Sequence, residues 1–112
     1  MKRPRGPLGG TDPFGSRLNR ETAKINRAVY ELGDCSIQEV INYARREFGM
    51  ELLETRVYKH FMWLVGSDRR LTKDGRDQFK RAGFSTPFAV KTEKGVRLTE
   101  EARQRYKQWL EG

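Results

Sequence analysis

The sequence predicts a mainly α-helical domain with one small β-hairpin, and three observations support this fold class. Between residues 18 and 66, apolar side chains recur at spacings of three and four, as in amphipathic helices. Two short β-prone runs, residues 88–90 and 96–98, enclose a polar turn that contains Gly95. A capping threonine, Thr99, then opens one more helix. The length of 112 residues suits a single domain.

Residues 1–16 are predicted to form a flexible basic arm ahead of a domain that covers residues 17–112. The segment is rich in glycine and holds three of the 4 prolines of the chain. Besides Met1, its only large apolar side chains are Leu8 and Phe14. So little apolar surface cannot offset the entropy lost on ordering the chain.

The first helix is expected to start after Ser16 or Asn19, both good N-caps, and to stop at Gly33. The second should begin at Ser36, because Ser36 and Glu39 match the capping box, and Gly49 should end it. The apolar stripe of the first helix is Leu18, Thr22, Ile25, Val29 and Leu32, and that of the second is Ile37, Val40, Ile41, Ala44 and Phe48.

A third helix is predicted over about residues 52–65, after a short link that contains Gly49. Two amphipathic helices joined by such a tight turn are typical of a helix-turn-helix. The inner stripe of the third helix is predicted to be Leu53, Val57, Phe61 and Leu64, with His60 at its edge.

Residues 67–87 are predicted to be a basic insert. Thr72 is a candidate cap for a short helix that reaches about Ala82, with Phe79 as its inward anchor. The hairpin follows, and Gly95 is expected where its turn needs a positive φ. The last helix begins after Thr99 and has an apolar face of Ala102, Tyr106, Trp109 and Leu110.

The charge favours a polyanionic partner. The net charge is +8, and the excess lies in residues 1–18 and 67–98, while residues 19–66 hold equal numbers of basic and acidic groups. Nucleic acid is the first candidate partner, and the alternative is a protein that is simply basic.

Several function classes are disfavoured by composition. One cysteine and one histidine cannot form a usual zinc site, and the chain has no glycine-rich phosphate loop, so no metal, cofactor or enzymatic activity is expected. A Cys35–His60 dyad is conceivable but lacks a third orienting group. Cys35 is interpreted as a small buried residue. No apolar run suggests a membrane span or secretory signal, which favours a cytoplasmic protein, nucleoid-associated or nuclear in a eukaryote.

The order of elements resembles the winged helix-turn-helix superfamily. The segment from Val96 to Arg103, with Leu98-Thr99 leading into a helix, is similar to the end of a wing strand in bacterial and archaeal regulators. The segment from Glu54 to Leu64 resembles a recognition helix. The likeness covers residues 18–66 and 88–110. It departs from the family at Ala102, where glycine is usual, and at residues 67–87, which exceed the usual link.

This resemblance implies a double-stranded DNA partner, with RNA as an alternative. Thr55, Lys59 and Met62 lie opposite the inner stripe of the third helix, so they would face the major groove. Arg56 and Lys59 would then contact guanine edges or phosphates, and wing and arm would contact the backbone. The full set of predicted nucleic-acid-binding residues is Thr55, Arg56, Tyr58, Lys59, Lys91, Lys94, Arg97, Arg69, Arg70, Lys2, Arg3 and Arg5.

A protein-interaction module is the alternative from another class. Met62 and Trp63 are large apolar residues on the outward side of the third helix, and either the insert or a partner must cover them. Met62, Trp63 or Trp109 would form the surface for a protein partner or for a homodimer.

Overall fold

Helices and a two-stranded hairpin follow one another in the order that the sequence predicts. The computed structural model describes residues 10–67 and 78–112. The predictions for Lys2, Arg3, Arg5, Arg69, Arg70 and Thr72 lie outside the described residues. The elements are α1 (Glu21–Leu32), α2 (Ile37–Phe48), α3 (Glu54–Leu64), α4 (Gln78–Arg81), β1 (Ala89–Lys91), β2 (Val96–Leu98) and α5 (Glu100–Glu111). The mainly helical fold class with one antiparallel hairpin is confirmed.

Side chains cap α2 and α5 as predicted. The Ser36 hydroxyl accepts from the Glu39 N–H at 3.2 Å, and the Glu39 carboxylate accepts from the Ser36 N–H at 3.0 Å. Gly49 ends α2 in the left-handed conformation, with φ of 63°. The Thr99 hydroxyl accepts from the Ala102 N–H at 3.1 Å. These caps satisfy backbone donors that a helix start leaves free.

The start of α1 was predicted wrongly. Neither Ser16 nor Asn19 caps it; the N-cap is Arg20, and no side chain bonds to the first turn. Ser16 is occupied elsewhere, since its hydroxyl accepts a hydrogen bond from the Asn26 side chain. Leu18 consequently lies before the helix and not in its stripe.

The start of α3 also differs from the prediction. Leu53, expected in the inner stripe, is the N-cap and is 69% exposed, while Leu52 is 6% exposed and packs in the core. The backbone at Leu53 is extended, so the helical period does not apply to it. Val57, Phe61 and Leu64 are buried as predicted.

Residues 10–20, named here the strap, pack on the domain, so the predicted flexible arm is wrong for residues 10–16. The Phe14 side chain is 3% exposed. Its ring lies 4.5 Å from that of Phe88 and 5.5 Å from that of Tyr106, between centroids. Backbone N–H groups of Phe14 and Ser16 donate to the Asp12 carboxylate at 3.0 and 2.9 Å. One buried aromatic side chain and one turn whose N–H groups donate to a carboxylate thus fix this segment, although its composition predicts flexibility.

Phe88 is the centre of an aromatic cluster that joins the strap, α3 and α4. The Phe88 ring is 4.7 Å from Phe79 and 5.3 Å from Trp63. Phe79 is buried, as predicted for an inward anchor. The described end of the insert therefore covers part of the Trp63 side chain. The sequence had left open whether the insert or a partner covers this residue.

The hairpin is tied to the turn between α1 and α2. Its strands pair with Ala89 opposite Leu98 and Lys91 opposite Val96, one residue later in the first strand than predicted. Val96 also pairs with Cys35 through two backbone hydrogen bonds of 3.0 and 3.1 Å. Gly95 does not have the predicted positive φ. A side chain there would instead collide with the carbonyl oxygen of Cys35, so glycine is required by close approach.

Gly95→Ala tests this close approach. The added Cβ would push Cys35 and Val96 apart, and we expect the free energy of unfolding to fall by ~1–3 kcal/mol, as for other overpacked sites. Urea unfolding followed by circular dichroism measures it. The exposed neighbour Glu93→Ala is the control and should change stability by less than about 0.5 kcal/mol. Equal stability of the two variants would contradict the close approach.

Phe14→Ala tests the packing of the strap. Removal of a buried ring typically costs ~3–5 kcal/mol, so we expect a large fall in the urea midpoint. Leu53→Ala is the matched control, because this apolar side chain is mostly exposed. A flexible segment would give the opposite result, with Phe14→Ala as stable as the wild type.

Candidate nucleic-acid interface

The outward side of α3 carries four of the predicted contact residues. Thr55, Arg56, Tyr58 and Lys59 are all exposed, while the opposite side of the helix packs in the core. The helix thus forms a ridge, and a cleft lies along each flank of it. The two clefts divide the predicted residues between them.

The first cleft lies between the strap and α3 and is named here the strap cleft. Its volume is about 760 Å³. Four basic side chains line it, two from the strap and two from α3: Arg17, Arg20, Arg56 and Lys59. The hydroxyl-bearing residues Ser16, Thr22 and Thr55 also line it. Arg17 and Arg20 were not predicted as contact residues, although Arg17 belongs to the basic excess of residues 1–18.

Two residues that line the strap cleft, Ser16 and His60, belong to a buried chain of hydrogen bonds. The Asn26 amide Nδ2 donates to Asp12 Oδ2 at 2.8 Å and to the Ser16 hydroxyl at 3.1 Å. The Asn26 Oδ1 therefore faces His60 Nε2, at 2.7 Å. Because a carbonyl oxygen only accepts, Nε2 carries the proton and donates. The chain connects the strap, α1 and α3.

Burial keeps His60 neutral. Its side chain is 6% exposed, and its ring stacks on Trp63 with 4.9 Å between centroids. Desolvation lowers the pKa of His60 to about 3. Desolvation also raises the pKa of Asp12, against the opposing effect of its hydrogen bonds. His60 accordingly lies in the core as predicted, and it orients the strap instead of acting as a surface cation.

Cys35 and His60 do not form a dyad. The Cys35 thiol is fully buried and its Sγ lies 3.9 Å from the Val96 carbonyl oxygen, whereas His60 bonds to Asn26. Burial, with help from nearby Glu39 and Asp34, raises the pKa of Cys35 to about 12. A thiol in this state is not a nucleophile at neutral pH.

The second cleft lies between α3, the start of α2 and the hairpin, and is named here the hairpin cleft. Its volume is about 500 Å³. Tyr58 and Met62 line it from α3, and Lys91 and Lys94 line it from the hairpin. Arg97 is exposed on β2 but lines neither of these clefts. Of the three predicted wing cations, two therefore face the ridge.

Two of the predicted cations have acidic partners. Arg56 Nε lies 3.4 Å from Glu21 Oε1, and Lys94 Nζ lies 3.2 Å from Glu39 Oε2. All four side chains are about half exposed, so solvent screens both pairs and they contribute little to stability. Both cations can exchange these carboxylates for another anion at little cost.

No family model matches the sequence, and no curated protein or solved structure matches it significantly. Among the described residues, no group of three or more His, Cys, Asp or Glu side chains is placed to hold a metal ion. Within the same part of the chain, no helix combines the length and the apolar character needed to cross a bilayer.

Acidification should destabilise the protein through His60. The unfolded histidine titrates near 6.5 and the folded one near 3, so below pH 6.5 only the unfolded state gains the proton. Between about pH 7.5 and pH 5 we expect the free energy of unfolding to fall by about 2 kcal/mol from this group. The raised pKa of Asp12 opposes this destabilisation. As the pH falls, the folded state binds a proton at Asp12 at a higher pH than the unfolded state does.

The variant His60→Gln separates the two effects. Glutamine can still donate to Asn26 but does not titrate, so its unfolding free energy should lack the fall that His60 causes. Urea unfolding at the two pH values measures the difference between wild type and variant. An identical pH dependence would show that His60 is not buried in its neutral form.

Proposed function

We propose that this chain is a non-enzymatic nucleic-acid-binding protein, most simply a small DNA-binding regulator of the winged helix-turn-helix type. The observation that carries the proposal is the α3 ridge, which lies between two clefts lined with cations and contributes the exposed Arg56 and Lys59 to one of them. In this proposal α3 enters the major groove and the hairpin contacts the backbone beside it.

Dimensions support a helix in the groove of DNA. An α-helix with its side chains is ~10–12 Å across, and the major groove of B-DNA is ~12 Å wide. The groove of A-form RNA is too narrow for it, which favours duplex DNA over duplex RNA. Lys59 and Thr55 project from the exposed side of the ridge and would meet base edges or phosphates.

The order of the elements also supports the winged-helix type. Three long helices and the short α4 precede a hairpin whose second strand pairs with Cys35, between α1 and α2, and a last helix follows. This arrangement holds Lys91 and Lys94 next to α3 on the hairpin side. A wing in this position would reach the backbone that borders the groove.

The alternative of a protein-docking module has less support. Trp63, one of its three predicted anchors, packs against His60, Phe79 and Phe88. Trp109 packs edge-on against Tyr106, with 5.3 Å between ring centroids. The aromatic side chains that would anchor a partner thus contribute to the core of the domain.

The first test compares the affinity of the protein for three nucleic acids that share one base sequence. Duplex DNA, single-stranded DNA and RNA are titrated at two salt concentrations, and binding is followed by fluorescence anisotropy. We expect duplex DNA to bind most tightly, with a steep salt dependence from counterion release. Absence of binding to all three would reject the proposal and favour the docking module.

The second test separates base contacts from backbone contacts. Lys59→Ala should cost about 1–3 kcal/mol of binding and relax the preference at one base pair, if Lys59 contacts a base edge. Lys94→Ala should weaken binding to all sequences alike, because phosphates carry no sequence information. Lys107→Ala, on exposed α5, is the matched control and should bind like the wild type. If Lys59→Ala and Lys94→Ala also bind normally, the α3 ridge is not the interface.

A further inference from the structure

The strap cleft has more positive charge available than the proposed groove contact uses. No ion pair or hydrogen bond connects the side chains of Arg17 and Arg20 to any described residue. Both are exposed and line the cleft beside Lys59. Carboxylates stand at the first positions of α1 and α3, and that of Glu21 pairs with Arg56. Among the described residues, Arg17 and Arg20 are therefore available to an anion in this cleft, in addition to the Lys59 of the proposed groove contact.

Two helix starts border the same cleft. The helices α1 and α3 both start without a side-chain cap, in contrast to α2 and α5. Their second residues, Thr22 and Thr55, line the cleft, and no described residue accepts from the N–H groups of these two. Their first residues, Glu21 and Glu54, carry carboxylates and do not line it. Free N–H groups at a helix start, with the positive end of the helix dipole, favour an anion.

A buried hydroxyl adds a further donor. Ser16 is 9% exposed and lines the cleft. Its oxygen accepts from Asn26, but its own proton has no acceptor among the described residues. A hydroxyl donor, free guanidinium groups and free backbone N–H groups make a set that contains donors for the oxygens of a phosphate.

We infer that the strap cleft binds the phosphodiester backbone of one DNA strand, through Arg17 and Arg20, on the flank of α3 opposite the hairpin. This inference rests on the proposed function and deepens it. A helix in the major groove has a phosphate backbone on each side. Lys91 and Lys94 would contact one of them, and the strap cleft would hold the other.

The inference explains why the strap is anchored so firmly. Phe14 and the chain from Asp12 to His60 hold the segment beside α3, and Arg17 and Arg20 follow directly after it. Their backbone is fixed before binding, which lowers the ordering cost that a flexible basic arm would have to overcome.

The experiment measures duplex affinity against salt concentration for matched double variants. Arg17→Ala with Arg20→Ala removes both strap cations. We expect binding to weaken on the order of tenfold or more, and the slope of log affinity against log salt to lose about two units. Arg103→Ala with Lys107→Ala removes two exposed cations of α5 that line neither cleft, and it should leave both quantities unchanged.

Two further variants test whether the positive charge of the strap cleft governs DNA binding. Arg17→Lys with Arg20→Lys keeps the charge and should restore the salt slope. Glu21→Gln removes the carboxylate that competes for Arg56, so it should tighten binding severalfold. Glu31→Gln is its control, because Glu31 pairs at 2.9 Å with Arg27 of the same helix, and Arg27, unlike Arg56, does not line the cleft. Equal effects of Glu21→Gln and Glu31→Gln would contradict the inference.

A titration with inorganic phosphate tests the cleft without nucleic acid. The amide resonances of Thr22 and Thr55 should shift, and shifts confined to the hairpin would overturn the inference. If the wild type binds duplex DNA and the strap variant binds equally well, the inference fails and the proposed function stands. If the wild type binds no nucleic acid, both fail.

Discussion

The hydrogen-bond chain from Asp12 through Asn26 to His60 holds the strap, α1 and α3 in one arrangement. A buried polar group without a partner costs ~1–3 kcal/mol. Displacement of one member of the chain would leave its neighbours without partners, so the members hold one another in place. The strap therefore has one position against α3, and the strap cleft exists only in that position. A buried polar network fixes a unique geometry in a way that apolar contacts alone do not.

Local signals in the sequence predicted the helices and the hairpin well. The capping box at Ser36, the left-handed Gly49 and the cap at Thr99 each depend on neighbours within a few residues. The starts of α1 and α3 were wrong because tertiary contacts decided them. Serine is a residue type that often caps helices, but the Ser16 hydroxyl is bonded to Asn26 instead. Leu53 fits the helical period in the sequence, but its backbone is extended.

The candidate site was predictable only in part. The period of α3 placed Thr55, Lys59 and Met62 opposite the inner stripe. Thr55 and Lys59 are exposed as predicted, whereas Met62 is half-buried. Arg17 and Arg20 were missed because the contacts that hold the strap beside α3 leave no local signal in the sequence. The anchor is a single phenylalanine whose partners, Phe88 and Tyr106, lie far along the chain. Contacts at such separation leave no periodic signal, and only the isolated aromatic residue among glycines and prolines hinted at them.

The junction of hairpin and helical core contains the sole cysteine of the chain. Cys35 is fully buried, and its backbone pairs with Val96 while Gly95 passes close by. A thiol reagent can reach it only after this junction opens. The rate of alkylation thus reports how often the hairpin detaches, without any engineered label. The protein carries an internal reporter of hairpin motion, whose response to a bound ligand can be followed by mass spectrometry.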